Sequence, residues 1–268
     1  MDGAIQPKLQ RAKGTLGLHL HGSKIERLYQ SGSAKLMLPK TYGKMTEAVI
    51  LNTAGGITGG DTLDISVHAQ DCALVATTQT AERLYRSSTA PAQISINLVA
   101  DSSAELHWLP QETIIFDRAE ATRTIKLEMT EESRCLLAET IVLGRQAMGE
   151  QVKECYFKDN WRLYRQRVLF HAESLRLTGR TDEIMAAAAG GNGARLLSTI
   201  LYAGRDAEQM ADIIAPVIRA CVSRCAASYW QDRLVIRLVS RHSASARTDI
   251  NNVISALRQQ PMPRVWQI

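Results

Sequence analysis

Leu51-Asn-Thr-Ala-Gly-Gly-Ile-Thr-Gly-Gly-Asp61 is the strongest local signal in the chain, with two Gly-Gly pairs closed by a carboxylate. The stretch does not fit a phosphate site. The dinucleotide fingerprint needs glycines at i, i+2 and i+5 opening a helix, whereas the second residue after Gly55 is Ile57 and a strand follows. Gly55 and Gly60 have P-loop spacing, but Asp61 stands where the phosphate-binding Lys would be, and a carboxylate repels phosphate. The stretch, with Gly55, Gly56, Gly59 and Gly60, therefore reads as a turn needing unusual backbone angles. It presents Asp61, with Asp64 three residues on. Glu112 precedes an apolar run, and Glu139 interrupts the otherwise apolar strand 134–143. A carboxylate in such a strand is costly unless it is paired or bound to a cation, and a salt bridge, with Arg145 as partner, is the plainer reading. Gly144, Arg145, Gly149 and Glu150 form a Gly-bracketed loop, and Glu173 follows a strand over 161–170. His19 and His21 share a strand face, but two imidazoles without a third ligand are weak evidence for a metal. Cys221 and Cys225 fall on an apolar stripe and read as small hydrophobes. There is no Gly-x-Ser-x-Gly elbow and no His-Glu-x-x-His. A metal-dependent hydrolase built on these carboxylates is the rival reading, and it needs histidines that converge.

These groups must be positioned by a mainly β body. Leu16, Leu18 and Leu20 alternate with Gly17, His19 and His21; the same period of two recurs at 63–67, 94–98 and 125–129. Many strands without intervening helices predict a sandwich, a barrel or a solenoid-like stack. Two helices are predicted in the C-terminal third. One spans 206–226, capped by Asp206 with Gln209 as capping-box partner, and kinked or broken at Pro216. The other carries Ile250, Val253, Ile254 and Leu257 and ends before Pro261. No linker divides the chain, so residues 1–268 read as one domain, with 261–268 a loose tail unless Val265, Trp266 and Ile268 dock.

Composition narrows the function classes. The net charge is +5, yet residues 1–50 hold 8 basic and 3 acidic groups, 51–150 hold 7 and 14, and 151–268 hold 17 and 10. An acidic middle between basic flanks, with 5% aromatics, argues against a nucleic-acid surface. The basic flanks suit protein contacts. Five cysteines without a Cys-x-x-Cys pair argue against a disulfide framework or a zinc ribbon. No apolar run nears the ~20 residues of a membrane span, and the N-terminus shows no secretory pattern, so a cytoplasmic location is expected.

Four motifs occur in one order: Asn52 to Asp61, Thr77-Thr-Gln-Thr-Ala-Glu-Arg-Leu-Tyr-Arg86, Trp108-Leu-Pro-Gln-Glu-Thr-Ile-Ile-Phe116, and Gly144 to Glu150. Together they resemble the urease accessory protein UreD family, called UreH in some bacteria. The resemblance covers most of the chain, from the Leu16 strand to the second helix. Arg83, where the family more often has Lys, keeps the basic group. The resemblance implies a β-helix-like stack of strands with two helices, and a factor that is not an enzyme. It implies work with UreF and the GTPase UreG on apo-urease, with UreE supplying nickel indirectly and nickel passing through an internal tunnel. Under that implication no cofactor is tightly bound, and Asp61, Asp64, Glu112, Glu139, Glu150 and Glu173 are the candidate lining. Carboxylates suit a metal in transit because thiolates would hold it.

Overall fold

The chain winds between two facing sheets because most strands bury alternate residues. The structure is a computed structural model and describes residues 10–41, 43–88, 90–145 and 148–267. It opens with β1 (Lys13–His21), β2 (Lys24–Gly32) and β3 (Ala34–Met37). The winding section is β4 (Thr46–Asn52), β5 (Thr62–Gln70), β6 (Ala73–Thr78), β7 (Glu82–Leu84), β8 (Ala92–Asp101), β9 (Glu105–Trp108), β10 (Thr113–Ile115), β11 (Glu120–Met129), β12 (Arg134–Leu143) and β13 (Glu154–Arg165). After it come β14 (Val168–Arg180), α1 (Thr181–Ala186), β15 (Leu196–Ala203), α2 (Ala207–Ala220), β16 (Arg224–Trp230), β17 (Arg233–Ser240) and α3 (Ser243–Arg258).

One sheet runs β14-β13-β11-β8-β5-β1-β2; the other runs β16-β17-β15-β12-β9-β6-β4-β3, with β7 and β10 attached through β12. The pairs β4–β6, β6–β9 and β9–β12 are parallel, as are β5–β8, β8–β11 and β11–β13. Parallel neighbours need a crossover, and here a strand of the opposite sheet supplies it. Each turn of the winding thus adds one strand to each sheet, which is the expected β-helix-like stack.

Two apolar cores share the second sheet. One fills the space between the sheets; the other lies between the second sheet and α2 and α3. β12 is buried along nearly its whole length because it faces both. Cys135, Leu137, Ile141 and Leu143 point between the sheets, and Leu136, Ala138 and Val142 point toward the helices. Glu139 has the phase of the first set.

Several expectations are corrected. The strand over 161–170 is the end of β13, a tight turn at Gln166 and Arg167, and the start of β14, so Glu173 lies inside a strand. The helix over 206–226 stops at Ala220. Both carboxylate oxygens of Asp249, on α3, accept the backbone N–H groups of Val222 and Ser223 and hold that segment extended. Cys225 therefore sits on β16, a strand not anticipated. The helix continues through Pro216, which is exposed, so water can satisfy the carbonyl left without an N–H. Asp206 makes no side-chain cap; it accepts the Tyr202 hydroxyl at 2.7 Å. The second expected helix is α3, and α1 is an additional short helix. The segment after Pro261 is anchored at Trp266, whose indole N–H donates to Thr77 Oγ1 and to the Leu109 carbonyl, both at 3.1 Å. Ile268 and the N-terminal residues 1–9 lie outside the described residues.

Candidate functional site

The interior of the winding section holds a charged cluster. Arg123 on β11 and Asp159 on β13 are register partners, and both take the inward phase of their strands. Glu139 faces them from β12. All three are at most 4% exposed. Arg123 Nε donates to Asp159 Oδ1 at 3.0 Å and Nη2 to Oδ2 at 2.6 Å, a bidentate pair. Its Nη1 donates to Glu139 Oε2 and, at 3.1 Å, to Thr113 Oγ1. The Trp108 indole donates to Glu139 Oε1 at 2.8 Å. One guanidinium is thus shared by two carboxylates, and Asp159 has the larger share. Burial pushes the Glu139 carboxyl up to about 7, against the pull of Arg123 and with the repulsion of Asp159.

This cluster borders a cavity of about 120 Å³ lined by Glu139, Asp159, Trp161, Glu173, Ser198 and Arg237, among others. At its outer part Glu173 is ion-paired to Arg237, and His171 lies 3.8 Å from the same carboxylate. Burial, with Arg233 and Arg237 nearby, depresses the His171 imidazole to about 4. Glu139 and Glu173 are therefore the two sequence-derived candidates that the fold brings to one space.

The other four are placed apart. Asp61 is buried, and its carboxylate accepts the Ala12 and Thr58 backbone N–H groups at 2.8 Å each, so it closes the Gly-rich turn. Asp64 is exposed on the outer face of β5. Glu112 pairs with Arg247 at 3.7 Å beneath the start of α3. Glu150 accepts from Arg145 Nε at 2.8 Å and from its backbone N–H at 3.1 Å. Burial raises the Glu150 carboxyl, but these bonds and the Arg145 charge outweigh it and hold it low. Arg145 thus pairs with Glu150 and not with Glu139. It also stacks over Phe116, 4.8 Å from the ring centre, and Gln146 and Ala147 of its loop lie outside the described residues.

The four motifs meet in space. Ile57 N donates to the Arg83 carbonyl and Tyr85 N to the Ile57 carbonyl, both at 2.7 Å; Glu82 N donates to the Glu112 carbonyl, and Gly144 N to the Ile115 carbonyl. Gly56 is required here: a Cβ would lie 2.3 Å from the Tyr85 ring and 2.9 Å from the Arg83 carbonyl. At Gly59 a Cβ would strike Ser87 Oγ at 1.9 Å. Gly55, Gly60, Gly144 and Gly149 have positive φ. Glu82, not among the sequence-derived candidates, accepts from Asn52 Nδ2 at 3.0 Å in this junction, and burial raises its carboxyl. Arg123 and Asp159 were missed too, although extending the alternation of Ile125, Leu127 and Met129 by one step reaches Arg123.

The histidines do not converge. His19 stacks on His68 with ring centres 4.0 Å apart, and His21 instead faces Asp71 at 3.6 Å. Parallel rings at that spacing cannot aim lone pairs at one ion. Among the described residues no three His, Cys, Asp or Glu side chains are grouped to hold a metal.

The family model described as UreD urease accessory protein matches residues 10–267, across all four motifs and the buried cluster. The chain belongs to the UreD family of urease accessory proteins. It is 40% identical to the urease accessory protein UreD of Rhizobium rhizogenes (strain K84), over 99% of this chain and 98% of that protein. With the urease accessory protein UreD of Jannaschia sp. (strain CCS1) the identity is 38%, over 100% of both. Family membership supports a role in urease maturation. No helix among the described residues is long and apolar enough to cross a membrane.

Proposed function

We propose that this UreD-family chain is a cytoplasmic scaffold that binds apo-urease together with UreF and UreG and conducts nickel through the strand stack. UreE would supply the metal without touching this chain. The observation that carries the reading is the Glu139 carboxylate. It is buried, it shares its counter-ion with Asp159, and it borders an internal cavity that also reaches Glu173.

The chemistry follows from that sharing. Two carboxylates around one guanidinium leave the interior short of positive charge whenever both are ionised. A divalent cation passing the cavity can take that place. Glu139 is the better exchanging group because it has one Arg123 bond against two for Asp159. Oxygen donors bind nickel weakly enough to release it, and Glu173 with Arg237 repeats the arrangement farther out. Asp64, Glu112 and Glu150 stand apart from this cavity, and in this reading they face partners or other parts of the path. The acidic residues act on a metal in transit, with no catalytic role.

Co-purification tests the scaffold. Tagged chain is expressed with and without UreF, UreG and apo-urease, and urease activity is assayed. Activation that depends on this chain is the expected result. Urease activated equally well without it would overturn the proposal.

A further inference from the structure

The two sheets end out of step on one side of the molecule. β14 closes the first sheet and β16 closes the second. β14 lies over β17, because Glu173 pairs with Arg237 and the Arg233 guanidinium lies 6.0 Å from the Phe170 ring centre. β16 therefore projects past the first sheet as a ledge. Ala226 and Trp230 are the register partners of Arg237 and Arg233, so the face of β16 that carries Arg224, Ala226, Ser228 and Trp230 continues the inner face of the second sheet. All four are exposed. The far edge of β16 pairs with no strand among the described residues.

Soluble proteins protect an edge strand with charge, proline or a bulge. β16 has none of these from Cys225 to Trp230. It ends on Trp230, 62% exposed, beside Tyr229, and Val168 at the neighbouring β13–β14 turn is 68% exposed. The two hairpin tips are joined by Arg165, which pairs with Asp232 at 3.2 Å. An unpaired backbone row beside an exposed apolar patch is the surface that an added strand covers.

The surrounding charge selects the occupant. Arg165, Arg167, Arg224, Arg233 and Arg237 stand around the ledge, against Glu173 and Asp232. Both carboxylates are already taken, by Arg237 and Arg165. Arg167, Arg224 and Arg233 have no carboxylate partner among the described residues. Arg233 is buried, and its guanidinium stacks 4.4 Å from the Trp230 ring centre. A planar cation without a counter-ion, beside an exposed indole, suits a carboxylate on a partly apolar chain. A second copy of this chain would bring the same surplus of cations and be repelled. We infer that β16 is a docking edge for an extended, acidic segment of a protein partner, which adds to the second sheet as a further strand. Its carboxylates meet Arg224 and Arg233, and its apolar side chains cover Trp230.

The full chain is titrated by fluorescence anisotropy with a labelled peptide alternating Val and Glu, long enough to span β16, and with its Val and Lys counterpart. Saturable binding of the Glu peptide is expected, at least about tenfold tighter than that of the Lys peptide, with slower hydrogen exchange at the β16 amides when it is bound. Trp230→Ser is expected to weaken binding about tenfold or more, the scale of an interface hot spot. Arg224→Glu is expected to reverse the preference between the two peptides. Both side chains are exposed, so the melting temperature of each variant should hold. No saturable binding, equal binding of the two peptides, or both variants behaving like the unaltered chain would overturn the inference. Self-association of the chain that protects the β16 amides before any peptide is added would overturn it in favour of a second copy. Displacement of the Glu peptide by oligothymidylate would overturn it in favour of a nucleic acid.

Discussion

Asp61 and Glu139 are both buried carboxylates, 5% and 3% exposed, yet their surroundings differ in kind. Asp61 is answered by two backbone N–H groups, from Ala12 and Thr58, which cannot leave without unfolding the turn. Glu139 is answered by side chains, one from Arg123 and one from Trp108, and has a cavity beside it. Burial alone therefore does not mark a functional acid. A carboxylate held by fixed backbone donors stabilises architecture. In the proposed function, one that shares a side-chain cation beside a cavity exchanges that partner for a metal.

Four variants sharpen this contrast through stability. The largest effect is expected for Arg123→Met, which leaves Asp159 and Glu139 buried without a cation. Breaking such a pair from one side costs about 3–5 kcal/mol, and the denaturant midpoint of unfolding should fall accordingly. Asp61→Ala comes next, because two backbone N–H groups lose their acceptor. A loss of about 2–3 kcal/mol is expected in the same measurement, and at low temperature the folded fraction should still deliver nickel.

His107 provides a pH-dependent case. Its Nε2 donates to Glu105 Oε1 at 3.1 Å, and its Nδ1 accepts from Arg258 Nη1 at 3.0 Å, so the ring is neutral. Burial, assisted by Arg258, depresses its pKa below 6.5, against the pull of Glu105. Below that value the unfolded chain binds the proton first, so this stability is present above pH 6.5 and is lost as pH falls. His107→Gln keeps one donor and one acceptor without titrating. Its melting temperature should fall less between pH 7 and pH 5 than that of the unaltered chain.

At pH 5 the smallest stability change is expected for Glu139→Gln, within about 1 kcal/mol, since Trp108 keeps an acceptor and Asp159 keeps its bidentate bond. The sign depends on pH. The folded pKa is raised from 4.5 to about 7, so the Glu139 contribution is fully present below 4.5 and is lost as pH rises through 7. The variant should gain on the unaltered chain between pH 5 and pH 8, measured by denaturant titration at both.

The strand stack was legible because the period of two survives along β1, β5, β8 and β11, and Glu139 was legible because it breaks an apolar strand. Its partner was not identified, since Arg145 is near in sequence whereas Arg123, on β11, reaches Glu139 only because its sheet faces the one that holds β12. Asp61 stood out through its glycines, but its acceptor role depends on Ala12, 49 residues away. The end of α2 escaped for the same reason. Apolar spacing continues through Cys225, and the decision belongs to Asp249 on another helix. Local period and local breaks in it can be read from a sequence; choices made by residues distant along the chain cannot.

The central claim is that Glu139 handles nickel while Asp61 holds the turn. It is tested most directly by measuring nickel per urease active site after maturation with Glu139→Gln chain, with the complex with UreF, UreG and apo-urease verified by co-purification. An intact complex and nickel content reduced severalfold are expected. Full nickel loading by Glu139→Gln, in an intact complex, would contradict it.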